Sequence, residues 1–303
     1  MKKKKRSSIR KNELKFAALM ALPGLVALIV LVAGPLAYMV YNSAFSKSLA
    51  APIPPRPVGF KNYIDLLKSD RFWNAFKNTM VIMGIGIPVQ SFLGLLMAML
   101  LNREFKGKRL IVALFLIPVM ITPVVSGFQW KIIFHERFGP LNYILGFLGF
   151  NPNIPWLAKP SLALASILIM DTWQWTPFVA LVLLAGLSSI PRQVYEAANV
   201  DGASSWQIFW RVTMPLLRPI FTLVVLLRII FIFKIFDPVY ILTGGGPGIS
   251  TETLSVYTYY SGFKHFNIGR TAALAVLQLV IITIIAQLYM RFVMKRREEV
   301  QRS

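Results

Sequence analysis

The sequence predicts an all-α integral membrane protein with six transmembrane helices and both termini in the cytoplasm. Of its 303 residues, 56% are hydrophobic and only 15% are charged, whereas about a quarter are charged in a soluble domain. The apolar residues form blocks that reach the roughly 20 residues a helix needs to cross a bilayer. Basic residues are more frequent between alternate blocks, a bias that orients membrane helices.

The apolar blocks divide the chain into a short tail and a single six-span domain. The tail, residues 1–15, is basic, and we expect it to be cytoplasmic. The apolar stretch after it is too long for the hydrophobic region of a signal peptide, about 7–15 residues, so we interpret it as a retained helix. The domain covers residues 16–303, with predicted spans at about 16–42, 78–101, 110–133, 161–187, 219–242 and 271–294.

Charge and composition exclude several other classes of protein. The net charge of +21 is distributed beside apolar spans, where cations orient the chain and contact lipid head groups, so nucleic-acid binding is not expected. The chain has no cysteine, and His135 and His265 stand far apart in predicted loops, so no metal site is expected. Clustered catalytic side chains are also missing from the sequence, which argues against an enzyme.

A polar loop at 188–218, between the fourth and fifth spans, carries the most specific pattern. It predicts a short helix from Gln193 to Asn199, a turn, and a second amphipathic stretch from Trp206 to Val212. The loop resembles the "EAA" loop of ATP-binding cassette (ABC) importer permeases: Glu-Ala-Ala, three residues, Gly, nine residues, Ile-x-Leu-Pro. Here Val and Met replace the Ile and Leu, and the matching residues are Glu196, Ala197, Ala198, Asp201, Gly202, Val212, Met214 and Pro215.

This resemblance implies a type I ABC importer permease fold and a transport subunit rather than an enzyme. It also implies that the loop docks into a groove of a separate ATPase, which receives ATP and Mg²⁺. The chain itself lacks a G-x-x-x-x-G-K-[ST] phosphate-binding loop, since its one glycine-rich run, residues 244–248, has no lysine. We therefore expect no cofactor in this chain.

Other segments resemble the carbohydrate branch of these importers, of the maltose and glycerol-phosphate type. This branch implies a bacterial cytoplasmic membrane location and, as partners, a second homologous permease, two ATPase subunits, an extracytoplasmic solute-binding protein, a sugar and membrane lipid. The predicted outer loop Gly244, Gly245, Gly246 and Pro247 either contacts the binding protein or is a flexible turn. The similar segments are Gly59–Tyr63, Arg71–Thr79, Phe233–Asp237, Leu242–Pro247 and Thr251–Leu254.

Polar and aromatic residues inside the predicted spans form a candidate substrate pathway. A charge at mid-membrane costs about 2.5–3.5 kcal/mol on insertion scales, so each requires a reason. Sugars are bound by aromatic faces together with carboxylates and amides. The residues either line the pathway or pair between helices, and both interpretations are open. They are Asp171, Gln174, Trp175, Arg228, Asp237 and Gln129.

One alternative function remains open at this point, a stand-alone secondary transporter or channel driven by an ion gradient. Such proteins also contain buried charges and broken helices. The loop at 188–218 favours the importer because a stand-alone transporter has no need of it. Monosaccharides, oligosaccharides, polyols and glycerol phosphates are all compatible with the sequence as substrates.

Overall fold

The computed structural model describes residues 16, 19–50 and 53–302, with side chains up to Val293, so the predicted basic tail lies outside it. The described chain is mostly helical. Its elements are α1 (Leu19–Ser43), β1 (Phe45–Ser46), β2 (Arg56–Pro57), α2 (Lys61–Leu67), α3 (Asp70–Leu101), α4 (Lys108–Met120), α5 (Pro123–Ile133), α6 (Pro140–Phe147), α7 (Pro160–Ser188), α8 (Arg192–Val200), α9 (Ser205–Phe233), α10 (Asp237–Leu242), α11 (Leu254–Tyr259) and α12 (Ile268–Arg302).

Five helices in the described part of the chain are long and apolar enough to cross a membrane: α1, α3, α7, α9 and α12. The predicted spans 78–101, 161–187 and 271–294 fall within α3, α7 and α12, and the span 16–42 falls on α1 from residue 19 onward. The sixth candidate is the pair α4 and α5, which qualifies only if the two helices are counted together.

The predicted third span, 110–133, is made of two helices and not of one straight helix. It consists of α4 and α5, whose axes differ in direction by 96°. The break lies at Thr122, whose backbone is extended (φ −63°, ψ 142°), and Pro123 begins α5. A residue before proline is disfavoured in the helical region, which explains the position of the break. The 13 residues of α4 rise only about 20 Å, less than the roughly 30 Å hydrocarbon core.

The predicted fifth span, 219–242, is wrong in its bounds. The helix α9 begins in the loop before it, at Ser205, and ends at Phe233. Residues 234–236 are not helical, and α10 then starts at Asp237. Pro238 has no N–H and its ring would collide with the carbonyl of Lys234 in a regular continuous helix, which is consistent with the break before this point.

The chain divides into two compact units, of which the first combines the described residues up to Leu66 with residues 261–277. In this unit β1 and β2 form a two-stranded antiparallel hairpin. Asn62 Nδ2 donates to the carbonyl oxygens of Ser43 (2.8 Å) and Phe45 (3.0 Å), which holds α2 against the end of α1. The aromatic-rich stretch at residues 60–76 is divided between two helices, because α2 ends at Leu67 and α3 begins at Asp70.

The second unit, residues 67–260 and 278–303, contains most of the buried apolar residues. Its helices α3 and α7 approach closely at Gly94, where an added Cβ would lie 2.5 Å from Val179 Cγ1. Small residues at such points allow membrane helices to pack backbone against backbone. The fully buried residues of this core include Ile82, Ile167, Met170, Leu183, Val224 and Ile232.

Candidate coupling and translocation sites

The predicted coupling loop folds as two helices joined by a tight turn. The first, α8, covers the predicted Gln193–Asn199 helix and extends it by one residue at each end. Glu196 and Ala197 are exposed on it and Ala198 is half-buried. On its inner side, the Tyr195 hydroxyl lies 3.4 Å from Thr213 Oγ1 at the start of the membrane helix. The helix is thus attached by one face and open to a partner on the other.

The turn after α8 depends on Gly202, as the sequence predicted. Gly202 has φ +76°, a left-handed conformation that costs about 1–2 kcal/mol for a residue with a side chain. Its N–H donates to the Asn199 carbonyl (3.0 Å), and the Ala203 N–H donates to the Ala198 carbonyl (3.0 Å), which is a Schellman motif. An added Cβ would meet no atom within 4 Å, so the backbone angle, not space, requires glycine.

The second half of the loop is continuous with the membrane helix. A capping box starts α9: Ser204 Oγ accepts from the Gln207 N–H (3.3 Å) and Gln207 Oε1 accepts from the Ser204 N–H (2.8 Å). A π-helical turn, Phe209–Thr213, then precedes Pro215, which lies inside the helix rather than at its start. The extra residue of a π turn accommodates the proline without ending the helix. The stretch from Ser205 onward therefore belongs to the same helix as the membrane-spanning part of α9.

A buried polar network joins three membrane helices. Arg228 on α9 donates through Nη2 to Asp171 Oδ2 on α7 and through Nε to Gln90 Oε1 on α3, each at 2.7 Å. Gln90 Nε2 closes the triangle by donating to Asp171 Oδ2 at 2.7 Å. The Arg228 guanidinium also lies over the Trp175 ring, 5.0 Å from its centroid. All three polar residues are at least 98% buried, so the charges satisfy one another away from solvent.

Gln90 was not among the predicted site residues. The sequence does contain a sign of its role, because Gln90 is a polar residue within an apolar span. Such side chains usually face the interior of the helix bundle and find a partner there. The network gives the interhelical-pairing interpretation of Asp171 and Arg228 a definite geometry. The pathway interpretation also stays open, because Asp171 and Arg228 both line a cavity.

That cavity has a volume of about 220 Å³ and brings together four of the six predicted pathway residues: Asp171, Trp175, Arg228 and Asp237. Lys234 lines it as well. Lys234 and Asp237 are three residues apart but do not pair with each other, and neither makes an ion pair with any residue that the structure describes. The remaining residues that line this cavity are apolar or aromatic: Pro123, Phe231, Ile235, Phe236 and Pro238.

The other two predicted pathway residues lie elsewhere. Gln129 lines a separate cavity of about 410 Å³ with Trp130 and Trp173, whose rings meet edge to face at 5.6 Å. Gln174 lines neither cavity. Its Nε2 donates to the Ile121 carbonyl at 3.0 Å, beside the break between α4 and α5, and its buried Oε1 has no partner in the described chain.

The glycine-rich loop is a folded turn rather than a flexible one. Thr251 Oγ1 donates to the Gly246 carbonyl at 2.7 Å, and the Thr251 N–H donates to the Gly245 carbonyl at 3.0 Å. The Tyr260 hydroxyl donates to the Gly244 carbonyl at 2.8 Å. Burial raises the pKa of this hydroxyl, which favours its protonated, donating form. Pro247 is half-buried beside these bonds.

An ion pair that the sequence did not indicate attaches this loop to α3. Arg71 donates through Nε and Nη2 to the two carboxylate oxygens of Glu252, at 2.8 and 2.7 Å, and Glu252 is 99% buried. Asn74 donates to the Ile249 carbonyl (2.6 Å) and Asn78 to the Glu252 carbonyl (3.0 Å). The loop is thus held rigidly at the end of a membrane helix. Residues 181 apart in sequence give no local pattern that predicts such a pair.

Comparison with known proteins agrees with this architecture. Residues 90–298 match the family model of the binding-protein-dependent transport system inner membrane component. The chain is 44% identical over 262 residues to the probable ABC transporter permease protein y4oQ of Sinorhizobium fredii, covering 86% of this chain and 84% of the relative. It is 34% identical to the trehalose/maltose transport system permease protein MalF of Thermococcus litoralis, covering 96% of this chain and 98% of the relative.

A solved structure shows the same fold. A chain of a bacterial ABC transporter that imports the acidic polysaccharide alginate superposes with a TM-score of 0.80 at 22% identity, covering 96% of this chain and 99% of that one. The predicted type I permease fold is confirmed, and the relatives are transport permeases, as predicted, not enzymes. The chain belongs to the family of binding-protein-dependent transport system inner membrane components, the permease subunits of ABC importers.

Proposed function

We propose that this multi-pass permease subunit carries a sugar or a related polyol across the bacterial cytoplasmic membrane. The cavity beside Asp171 and Arg228 is the observation that carries the proposal. It combines aromatic rings, among them Trp175 and Phe236, with the charged groups of Lys234 and Asp237. Aromatic faces pack on the C–H surfaces of a sugar, and charged groups bond its hydroxyls. The relative from Thermococcus litoralis is named for trehalose and maltose transport, which supports this class of substrate.

Within the cavity, the charged groups divide into two roles. Asp171 and Arg228 satisfy each other and Gln90, so they form its fixed wall. Lys234 and Asp237 make no ion pair with any described residue, so they are the groups left to bind substrate hydroxyls. At about 220 Å³ the cavity is smaller than the roughly 300–1,000 Å³ of drug-sized sites, which suits one sugar unit at a time.

The proposed importer contains a second homologous permease, two ATPase subunits and a solute-binding protein. The ATPase binds ATP and Mg²⁺ and docks on the exposed face of α8, which includes Glu196 and Ala197. The binding protein contacts the turn at Gly244–Pro247, whose rigid attachment through Arg71 and Glu252 would transmit its docking to α3. The folded form of this turn supports a contact surface over a flexible connection.

We expect Asp237→Asn to lower the efficiency of sugar uptake about tenfold or more, because a hydrogen bond to a charged group contributes about 1.5–3 kcal/mol. Initial uptake rates in proteoliposomes of the complete importer measure this, using a substrate found by screening sugars on the binding protein. Asp65→Asn is the matched control, because this carboxylate is half exposed, pairs with Lys61 and does not line the cavity. Equal uptake by both variants would remove Asp237 from the pathway.

A further inference from the structure

The segment between α5 and α7, residues 134–159, presents large apolar side chains to its surroundings. Exposed fractions reach 87% for Phe147, 80% for Tyr143 and 68% for Phe138, with 63% for both Leu148 and Phe150. Contiguous exposed apolar surface of this kind marks a site that another molecule covers.

The exposure is not the result of a loose segment, because a buried polar centre fixes its fold. Asn142, 98% buried, donates through Nδ2 to the carbonyls of Glu136 (2.9 Å) and Ile154 (3.0 Å). Its Oδ1 accepts from Trp156 Nε1 at 2.8 Å. Two distant parts of the segment are thus joined through one side chain. The apolar residues are held facing outward on a preformed surface.

The position and charge of the segment indicate what covers this surface. Its two ends continue directly into α7, a candidate membrane span, and into α5, half of the bent pair that counts as the sixth candidate, so we place it at the boundary of the bilayer. Its exposed cations are Arg137 and Lys159, with Lys131 just before it, and its single carboxylate is Glu136. Apolar and aromatic residues beside cations match the boundary between acyl chains and anionic lipid phosphates.

We propose that residues 134–159 form an interfacial anchor that inserts Phe147 and Tyr143 into the predicted outer leaflet, with Arg137 and Lys159 at the lipid phosphates. The apolar face enters about 5–10 Å below the head groups, as in other interfacial helices. The anchor fixes the depth of α5 in the membrane. The break at Thr122 separates α5 from α4. Pro123 at the start of α5 lines the cavity of about 220 Å³, and Gln129 lines the cavity of about 410 Å³.

The absence of cysteine from the chain permits a direct measurement with one nitroxide label at a time. Phe147→Cys and Tyr143→Cys are labelled in the full-length chain in vesicles of phosphatidylcholine with a minor fraction of phosphatidylglycerol. Relaxation by oxygen, which concentrates in lipid, is compared with relaxation by a water-soluble nickel chelate. Phe92→Cys, exposed on α3, reports the lipid-facing surface, and Asn153→Cys, exposed in the same segment, is the matched control.

The anchor predicts greater accessibility to oxygen than to nickel at both Phe147 and Tyr143, as at Phe92, and the reverse at Asn153. Greater accessibility to nickel at Phe147 and Tyr143 would show that water covers the surface and would overturn the proposal. Protection from both reagents would show that protein covers it, which would overturn the lipid assignment equally.

Discussion

Arg228→Met is expected to lower the free energy of unfolding by about 3–5 kcal/mol, since it leaves a buried carboxylate without its cation. Asp171 keeps only the hydrogen bond from Gln90 in this variant, although it is 98% buried. The double variant Arg228→Met with Asp171→Asn removes both charges and retains a partner for Gln90. We expect it to recover most of the loss. Unfolding by a denaturing detergent in mixed micelles provides the measurement.

Lys108→Met is the matched control for this experiment. It removes the cation of an exposed ion pair, Lys108 with Glu104 at 3.2 Å, whose carboxylate is 79% exposed. Such pairs contribute at most about 1 kcal/mol, so the expected loss is small. Similar losses for Arg228→Met and Lys108→Met, or a double variant no more stable than Arg228→Met, would contradict a network that ties α3, α7 and α9 together.

Glu196→Lys is expected to weaken binding of the ATPase at least about tenfold while the permease itself stays folded. The side chain is exposed on α8 and makes no hydrogen bond or ion pair within the described residues, so its loss costs the chain little. At a docking surface, a charge of the wrong sign costs several kcal/mol, more than the 1.4 kcal/mol that corresponds to tenfold. Co-purification of the ATPase with the permease, followed by a binding titration, measures the change.

Glu104→Lys makes the same change of charge at an exposed residue outside the coupling loop, on the same predicted side of the membrane. ATPase binding should be unaltered by it. If Glu104→Lys weakened binding as strongly as Glu196→Lys, the effect would come from overall charge and not from docking on α8. A thermal unfolding midpoint equal to that of the unmodified chain would confirm that each variant is folded.

The sequence predicted the coupling loop in detail because the determinants of its structure are local. The polar helix and the turn at Gly202 are each encoded within a few positions, whereas the capping box of Ser204 and Gln207 was not among the predictions. The sequence gives no sign that the helix continues through Pro215. The π-helical turn Phe209–Thr213 lets the helix continue through Pro215, and no residue pattern in the loop predicts that turn.

The breaks in the third and fifth spans show that apolar composition is insufficient to predict whether a helix is continuous. Long apolar blocks at 110–133 and 219–242 predict continuous helices, but both contain prolines. Pro88 and Pro177 lie inside continuous helices, whereas Pro123 and Pro238 accompany breaks. Whether a helix bends or ends depends on which neighbouring groups satisfy the freed carbonyl, and those groups belong to other helices.

The partners of the buried charges could not be predicted from the sequence either, because they also lie on other helices. Asp171 and Arg228 were predicted either to line the pathway or to pair between helices, but their contact with Gln90 depends on how three helices pack. The pair of Arg71 and Glu252 depends in the same way on the fold of the glycine-rich turn. Sequence identifies which buried polar residues need a partner, and only packing decides which partner they obtain.

The energy source of uptake tests the central claim most directly. The measurement is accumulation of a radiolabelled sugar in proteoliposomes that contain this chain, the second permease and the ATPase subunits, with the binding protein outside. We predict accumulation only when ATP and Mg²⁺ are available to the ATPase, and its loss with Glu196→Lys. Accumulation by this chain without the ATPase, driven by a proton or sodium gradient, would contradict the account.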